Sequence, residues 1–162
     1  MTGSSRRALL VTGAIAALVL GGCGSNTGAA RREFRAQANA ICKQGNAAVR
    51  VITEAMKKAQ RSGNPNKVYR DMASLTAQGA ATFLSYVNQL DALTTPAADG
   101  DQIKAWIEAQ RRQLVLVNTL SAAYKARDAT KIATLSEQID SLAQASNRFA
   151  SSYGMQECAK PS

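Results

Sequence analysis

Apolar residues recur at alternating spacings of four and three through most of this chain, in four blocks separated by turn signals. The first block runs from about Arg32 to Arg61 on the stripe Phe34, Ala38, Ile41, Gly45, Ala48, Ile52, Ala55 and Ala59. It stops at Ser62-Gly63-Asn64-Pro65, where Asn64 is placed to cap a new helix and Pro65 to open it. The second block carries Val68, Met72, Leu75, Gly79, Thr82, Tyr86, Leu90 and Leu93 before Thr94-Thr95-Pro96 ends it, and Asp99-Gly100-Asp101 prepares the next start. The third, about Asp101 to Ala126, reads Ile103, Ile107, Gln110, Leu114, Val117, Ser121 and Tyr124, widened by Trp106 and Leu120. The fourth begins near Asp128 and reads Ile132, Leu135, Ile139, Leu142, Ser146, Phe149 and Tyr153, with Gly154 as its C-terminal stop. Four long amphipathic helices joined by short turns predict an all-α fold, an antiparallel up-down-up-down four-helix bundle over residues 31–162. The sustained 4-3 spacing favours shallow, left-handed packing near +20°. Leu114-Val115-Leu116-Val117 is apolar around a whole turn, which requires burial on two sides or a contact patch.

The N-terminus follows a different pattern. Arg6 and Arg7 precede an uncharged run from Ala8 to Leu20, 13 residues, which is short of the roughly 20 that span a bilayer core. Leu20-Gly21-Gly22-Cys23 closes the run. This segment resembles a bacterial lipoprotein signal. The resemblance implies a cleaved signal peptide over residues 1–22, cut between Gly22 and Cys23, and a diacylglyceryl thioether on Cys23, because a thiol is the group that accepts the lipid. The arginine pair also resembles a twin-arginine signal, although Val11 replaces the usual lysine, so the general and twin-arginine routes both stay open. Gly24 to Ala30 is rich in small and polar residues, and with Cys23 it is expected to be a flexible tether over residues 23–30, reaching at most about 28 Å. The expected address is the cell membrane, lipid-anchored on its extracytoplasmic face.

That compartment changes the reading of the cysteines. With Cys23 acylated, Cys42 and Cys158 remain, and an oxidising environment makes them a candidate disulfide; the alternative is a redox pair or a thiol nucleophile, for which the chain offers neither an activating histidine nor a Cys-x-x-Cys spacing. An antiparallel bundle brings the start of its first helix and the end of its fourth to the same end, which agrees. Phe34, Ala38-Asn39-Ala40-Ile41-Cys42, Tyr153-Gly154-Met155 and Glu157-Cys158 resemble a group of small exported helical proteins of high-GC Gram-positive bacteria. The likeness covers both ends of the mature chain and implies a fold and an address, since the group has no established activity.

The net charge of +9 is concentrated. Residues 31–62 hold eight Lys or Arg against Glu33 and Glu54. Arg31, Arg32 and Arg35 lie next to the tether, where each adds about 1 kcal/mol near an anionic membrane. Lys43, Arg50 and Lys57 recur every seven residues along a line about 21 Å long, opposite the apolar stripe. These six are the expected contacts for anionic lipid or wall polymer, or simply a solvated face. Nucleic acid is not an expected partner, because aromatics are 5% of the chain and do not interleave with the cations.

The chain contains no histidine, which removes the commonest general base and metal ligand. Neither a phosphate loop, a zinc spacing nor a nucleophile elbow is present, so neither cofactor nor metal is expected. An enzyme would need a carboxylate in a cleft, and Asp71, Asp91, Asp140 and Glu108 all fall where surface charge is expected. The favoured expectation is non-catalytic binding or scaffolding through a helical surface, with a protein partner or the envelope itself. The alternative is a carrier holding a small or lipidic ligand between the helices, for which Gln110, Thr82, Ser121, Ser146, Tyr86 and Tyr124 could line a polar cavity.

Overall fold

The computed structural model describes residues 25–160, with side chains from Thr27 onward; the signal segment, its cleavage site at Gly22 and Cys23 lie outside the described residues. Four helices make an all-α bundle: α1 (Ser25–Gln60), α2 (Pro65–Asp91), α3 (Gly100–Ala126) and α4 (Ala129–Tyr153), with a single 3-10 turn at Ala97–Asp99 before α3. The predicted start signals operate as side-chain caps. Asn64 accepts the amide of Lys67 at 3.1 Å, and Asp128 accepts that of Lys131 at 2.9 Å. Gly154 ends α4 in the left-handed region at φ 88°.

Two boundaries and faces depart from the sequence reading. α1 begins at Ser25, so Ser25 to Ala30, expected as flexible tether, is helical. The segment has no apolar stripe to announce it, but Ala29 and Ala30 favour helix, and Arg31 and Arg35 anchor the first turns by contacts described below. On α2 the buried residues are Met72, Ala73, Thr76, Ala80, Val87 and Leu90, largely a row one position on from the apolar stripe. α2 lies between α1 and α3 and packs on both. Its predicted stripe faces α1: a Cβ on Gly79 would lie 4.0 Å from Ile52, and one on Gly45 of α1 would meet the Tyr86 ring at 3.0 Å. The alanine-rich row faces α3, where Ser121 Oγ donates to the Ala73 carbonyl at 2.8 Å. Hydropathy ranks alanine low, so it hides a face on which small side chains admit a neighbouring helix.

The core is weighted to one end. Phe34, Val87, Leu90, Ile103, Trp106, Ile107 and Met155 form one buried cluster. An aromatic row lies beside it: Trp106 stacks on Phe149 at 5.9 Å, Phe149 on Tyr153 at 5.7 Å, and Phe34 meets Tyr153 edge-on at 6.0 Å. Consecutive helices pack along one another, whereas α1 and α4 make no comparable contact. The chain after α4 joins them instead, by folding back as a strap over α1.

Candidate functional site, an interhelical cleft

The strap is stitched to one face of α1 by three residues. Asn39 Oδ1 accepts the Glu157 amide at 2.8 Å. Asn46 Nδ2 donates to the Glu157 carbonyl at 2.7 Å. Between them Cys42 forms a disulfide with Cys158, their Cα atoms 5.0 Å apart. Asn39, Cys42 and Asn46 are spaced three and four apart, so they stand in a line along the helix. Cys42 and Cys158 were singled out by the sequence; Asn39 entered only as part of the motif over residues 38–42, with no role given to it, and Asn46 did not enter.

Further up α1, Arg31 grips Asp99 with Nε and Nη2 together. The Asp99 side chain is 3% exposed and also accepts the Tyr153 hydroxyl at 2.7 Å. Hydrogen bonds from Arg31 and Tyr153 hold the Asp99 carboxyl below the usual carboxylate range. Burial, with the bond to Asp99 second, pushes the Tyr153 phenol up to about 12. Arg35 lies over the Tyr153 ring, its guanidinium carbon 5.3 Å from the centroid. This network ties α1, the 3-10 turn and α4 together. Of the three arginines expected near the membrane, Arg31 is bound to Asp99 and Arg35 lies over Tyr153, while Arg32 stays exposed. Lys43, Arg50 and Lys57 are exposed as a line on α1, and Lys57 pairs with Glu54 at 2.8 Å.

Below the strap, the gap between α1 and α4 opens into a cleft of about 420 Å³ that reaches α2 and α3, within the range of small-molecule sites. Its apolar walls include Val49, Phe83, Tyr86, Trp106 and Ile139, and the Cys42–Cys158 bridge is part of its lining. At its floor Ser146 Oγ accepts the Trp106 indole N–H at 2.8 Å and an N–H of the Gln110 amide. Gln110 is 8% exposed, and the Ser146 contact is its one side-chain hydrogen bond, so the rest of its amide has no protein partner. Gln113, Asp140, Gln144 and Asn147 also line the cleft, and none of their side chains is hydrogen-bonded to the protein. Gly45 matters here, because its missing Cβ lets the Tyr86 ring lie flat against α1 and shape one wall.

Of the six polar residues expected to face a cavity, Gln110, Ser146 and Tyr86 line this cleft. Ser121 is instead bonded to α2, Thr82 is half-buried, and Tyr124 lies with Tyr69 in a separate groove between α2 and the end of α3. Of the carboxylates considered for chemistry, Asp140 stands at the cleft and is exposed, Asp91 pairs with Arg111 at 2.7 Å, Asp71 pairs with Lys67, and Glu108 is exposed. Asp99, the buried carboxylate, was read as a helix start. Its partner Arg31 is 68 residues away, a separation no local pattern reveals. The apolar turn of α3 exposes mainly Val115, at 64%, with Leu114, Leu116 and Val117 half-buried. Among the described residues no group of three or more potential metal-ligating side chains occurs, and no helix is long and apolar enough to cross a membrane.

Fold and site together define a helical bundle with a disulfide-bridged strap and a lined cleft. No protein-family model, curated protein or solved structure matches the chain.

Proposed function

We propose that this is a lipid-anchored, non-catalytic binding protein of the outer face of the cytoplasmic membrane, which holds a small ligand in the cleft between α1 and α4. The observation that carries this reading is the cleft itself, about 420 Å³ between α1 and α4, with apolar walls that include Phe83 and Tyr86 and with the side-chain amides of Gln110, Gln113 and Asn147 converging on it. A concave site with apolar walls and a few convergent polar groups is the usual form of a small-molecule site. Support for the address comes from the lipobox-like Leu20-Gly21-Gly22-Cys23 and from a pair of cysteines that suits an oxidising compartment. Acylation at Cys23 would hold the bundle close to the bilayer, because Ser25 to Ala30 as helix rises only about 9 Å. Arg32 and the line Lys43, Arg50 and Lys57 then supply charge towards anionic lipid or wall polymer, with the acyl chains providing the hold.

A surface-docking role is less well supported. The turn of α3 offers mainly one exposed valine, and the α1 line is partly neutralised by Glu54. The buried carboxylate is engaged in tying helices together, which leaves the cleft with Asp140 as its one unpaired charge.

Native mass spectrometry of the protein released from its membrane tests the reading. The mature chain is expected to begin with a diacylglyceryl cysteine at position 23 and to carry a small-molecule adduct. Ala143→Trp, which fills the cleft from α4, is expected to lose the adduct and keep the lipid. An N-terminus without lipid refutes the address; a wild-type chain with no adduct, or an Ala143→Trp chain that retains it, refutes the ligand-binding role.

A further inference from the structure

The chemistry of the cleft lining selects among ligand classes. Gln110, Gln113, Gln144 and Asn147 present side-chain amides with no protein hydrogen bond, apart from the one Gln110 gives to Ser146. Each amide offers donors and acceptors a fixed short distance apart. A hydroxyl is itself both donor and acceptor, so a set of amides matches a set of hydroxyls better than it matches a carboxylate, a phosphate or an ammonium group. The charges agree. The cation in the lining is Lys160, and it is bound to Glu157 at 2.5 Å. Asp140 has no ion-pair partner and disfavours anions. Tyr86 and Phe83, both half-buried, supply apolar surface against which the C–H face of a ring can lie.

We infer that the cleft recognises a neutral, hydroxyl-rich ring, a sugar or sugar headgroup, with the amides of Gln110, Gln113 and Asn147 reading its hydroxyls. This rests on the ligand-binding role proposed above and narrows it to one ligand class. Gln110 acts from the floor, fixed by Ser146. Gln113 and Asn147 act from facing positions on α3 and α4, both half-buried. No bond is made or broken; the event is binding alone.

The test uses the mature lipoprotein in lipid nanodiscs and ligand-observed saturation-transfer NMR. The probes are the methyl glycosides of glucose, galactose, mannose and N-acetylglucosamine, with glucuronate and hexanoate as acidic and apolar-acid counterparts. At least one neutral glycoside is expected to bind, and glucuronate to bind at least tenfold more weakly than it. Gln113→Ala removes a side chain with no protein hydrogen bond, so the fold does not depend on it, and it is expected to weaken the glycoside by about tenfold, the order of one or two lost hydrogen bonds. Ala143→Trp is expected to abolish the signal. If hexanoate or glucuronate binds at the cleft and no glycoside does, the sugar assignment is overturned while the ligand-binding role stands. If a glycoside binds equally to wild type, Gln113→Ala and Ala143→Trp, it sits elsewhere and the assignment is overturned. If no probe binds, the assignment again falls, and the presence or absence of the native adduct decides separately whether the ligand-binding role falls with it.

Discussion

Asp99 shows how one side chain can serve three elements. It occupies the position before α3 where a carboxylate normally caps the helix, yet its side chain makes no capping bond. Both oxygens are turned to Arg31 and Tyr153 instead. The consequence is a pH dependence with two limbs. The Asp99 pKa is lowered in the fold, so its contribution is complete above the unfolded value of 3.8 and is lost as pH falls through the lower folded value. Tyr153 is raised from 10.0 to about 12, so its contribution is complete below pH 10 and is lost as pH rises towards 12. Melting temperatures measured from pH 7 down to pH 2 should therefore fall more steeply for the wild type than for Asp99→Asn, which starts lower at neutral pH. Tyr153→Phe should flatten the alkaline limb. Parallel acid curves for wild type and Asp99→Asn would show that this carboxylate does not govern acid stability.

At the scale of elements, the helices were legible and their partners were not. Periodicity placed α2, α3 and α4 well, because each carries a sustained and mostly apolar row, and α2 and α4 have working caps in Asn64 and Asp128. It missed the first turns of α1, which lack that row, and the α3-facing side of α2, where Ala73, Thr76 and Ala80 do the packing. The strap was foreseen only through Cys158. That Asn39 and Asn46 would bind Glu157 backbone depends on pairings more than 110 residues apart. Gly154 is the hinge between α4 and this strap. Its φ of 88° suits glycine, and a Cβ there would meet Arg35 Nε at 3.2 Å. Gly154→Ala should cost about 1–2 kcal/mol from backbone strain alone, read as a lower urea midpoint with unchanged slope. A substitution without effect on the midpoint would mean that the strap can turn by another route.

For the whole molecule, the cleft and the disulfide are two aspects of one architecture. The large core residues gather where Phe34, Ile103, Trp106 and Met155 meet, and α1 and α4 are not drawn together along their length. The sequence listed several polar residues at core-facing positions but could not say which would converge; three did, because the cleft follows from the separation of two helices rather than from any local motif. The bond between Cys42 and Cys158 spans 116 positions, and closing a loop of that order stabilises by about 4.7 kcal/mol in the chain-entropy account. Beside total stabilities of about 5–15 kcal/mol for single domains, that is a large share. The double variant Cys42→Ser/Cys158→Ser should keep its helical circular dichroism at low temperature, because Asn39 and Asn46 still hold the strap, but lose up to about 4.7 kcal/mol in urea unfolding. The same variant reports on the site. With the bridge gone, one wall of the cleft loses its covalent restraint, so the native adduct should weaken along with stability. Loss of stability with an unaltered adduct would show that the bridge staples the fold but plays no part in shaping the cleft.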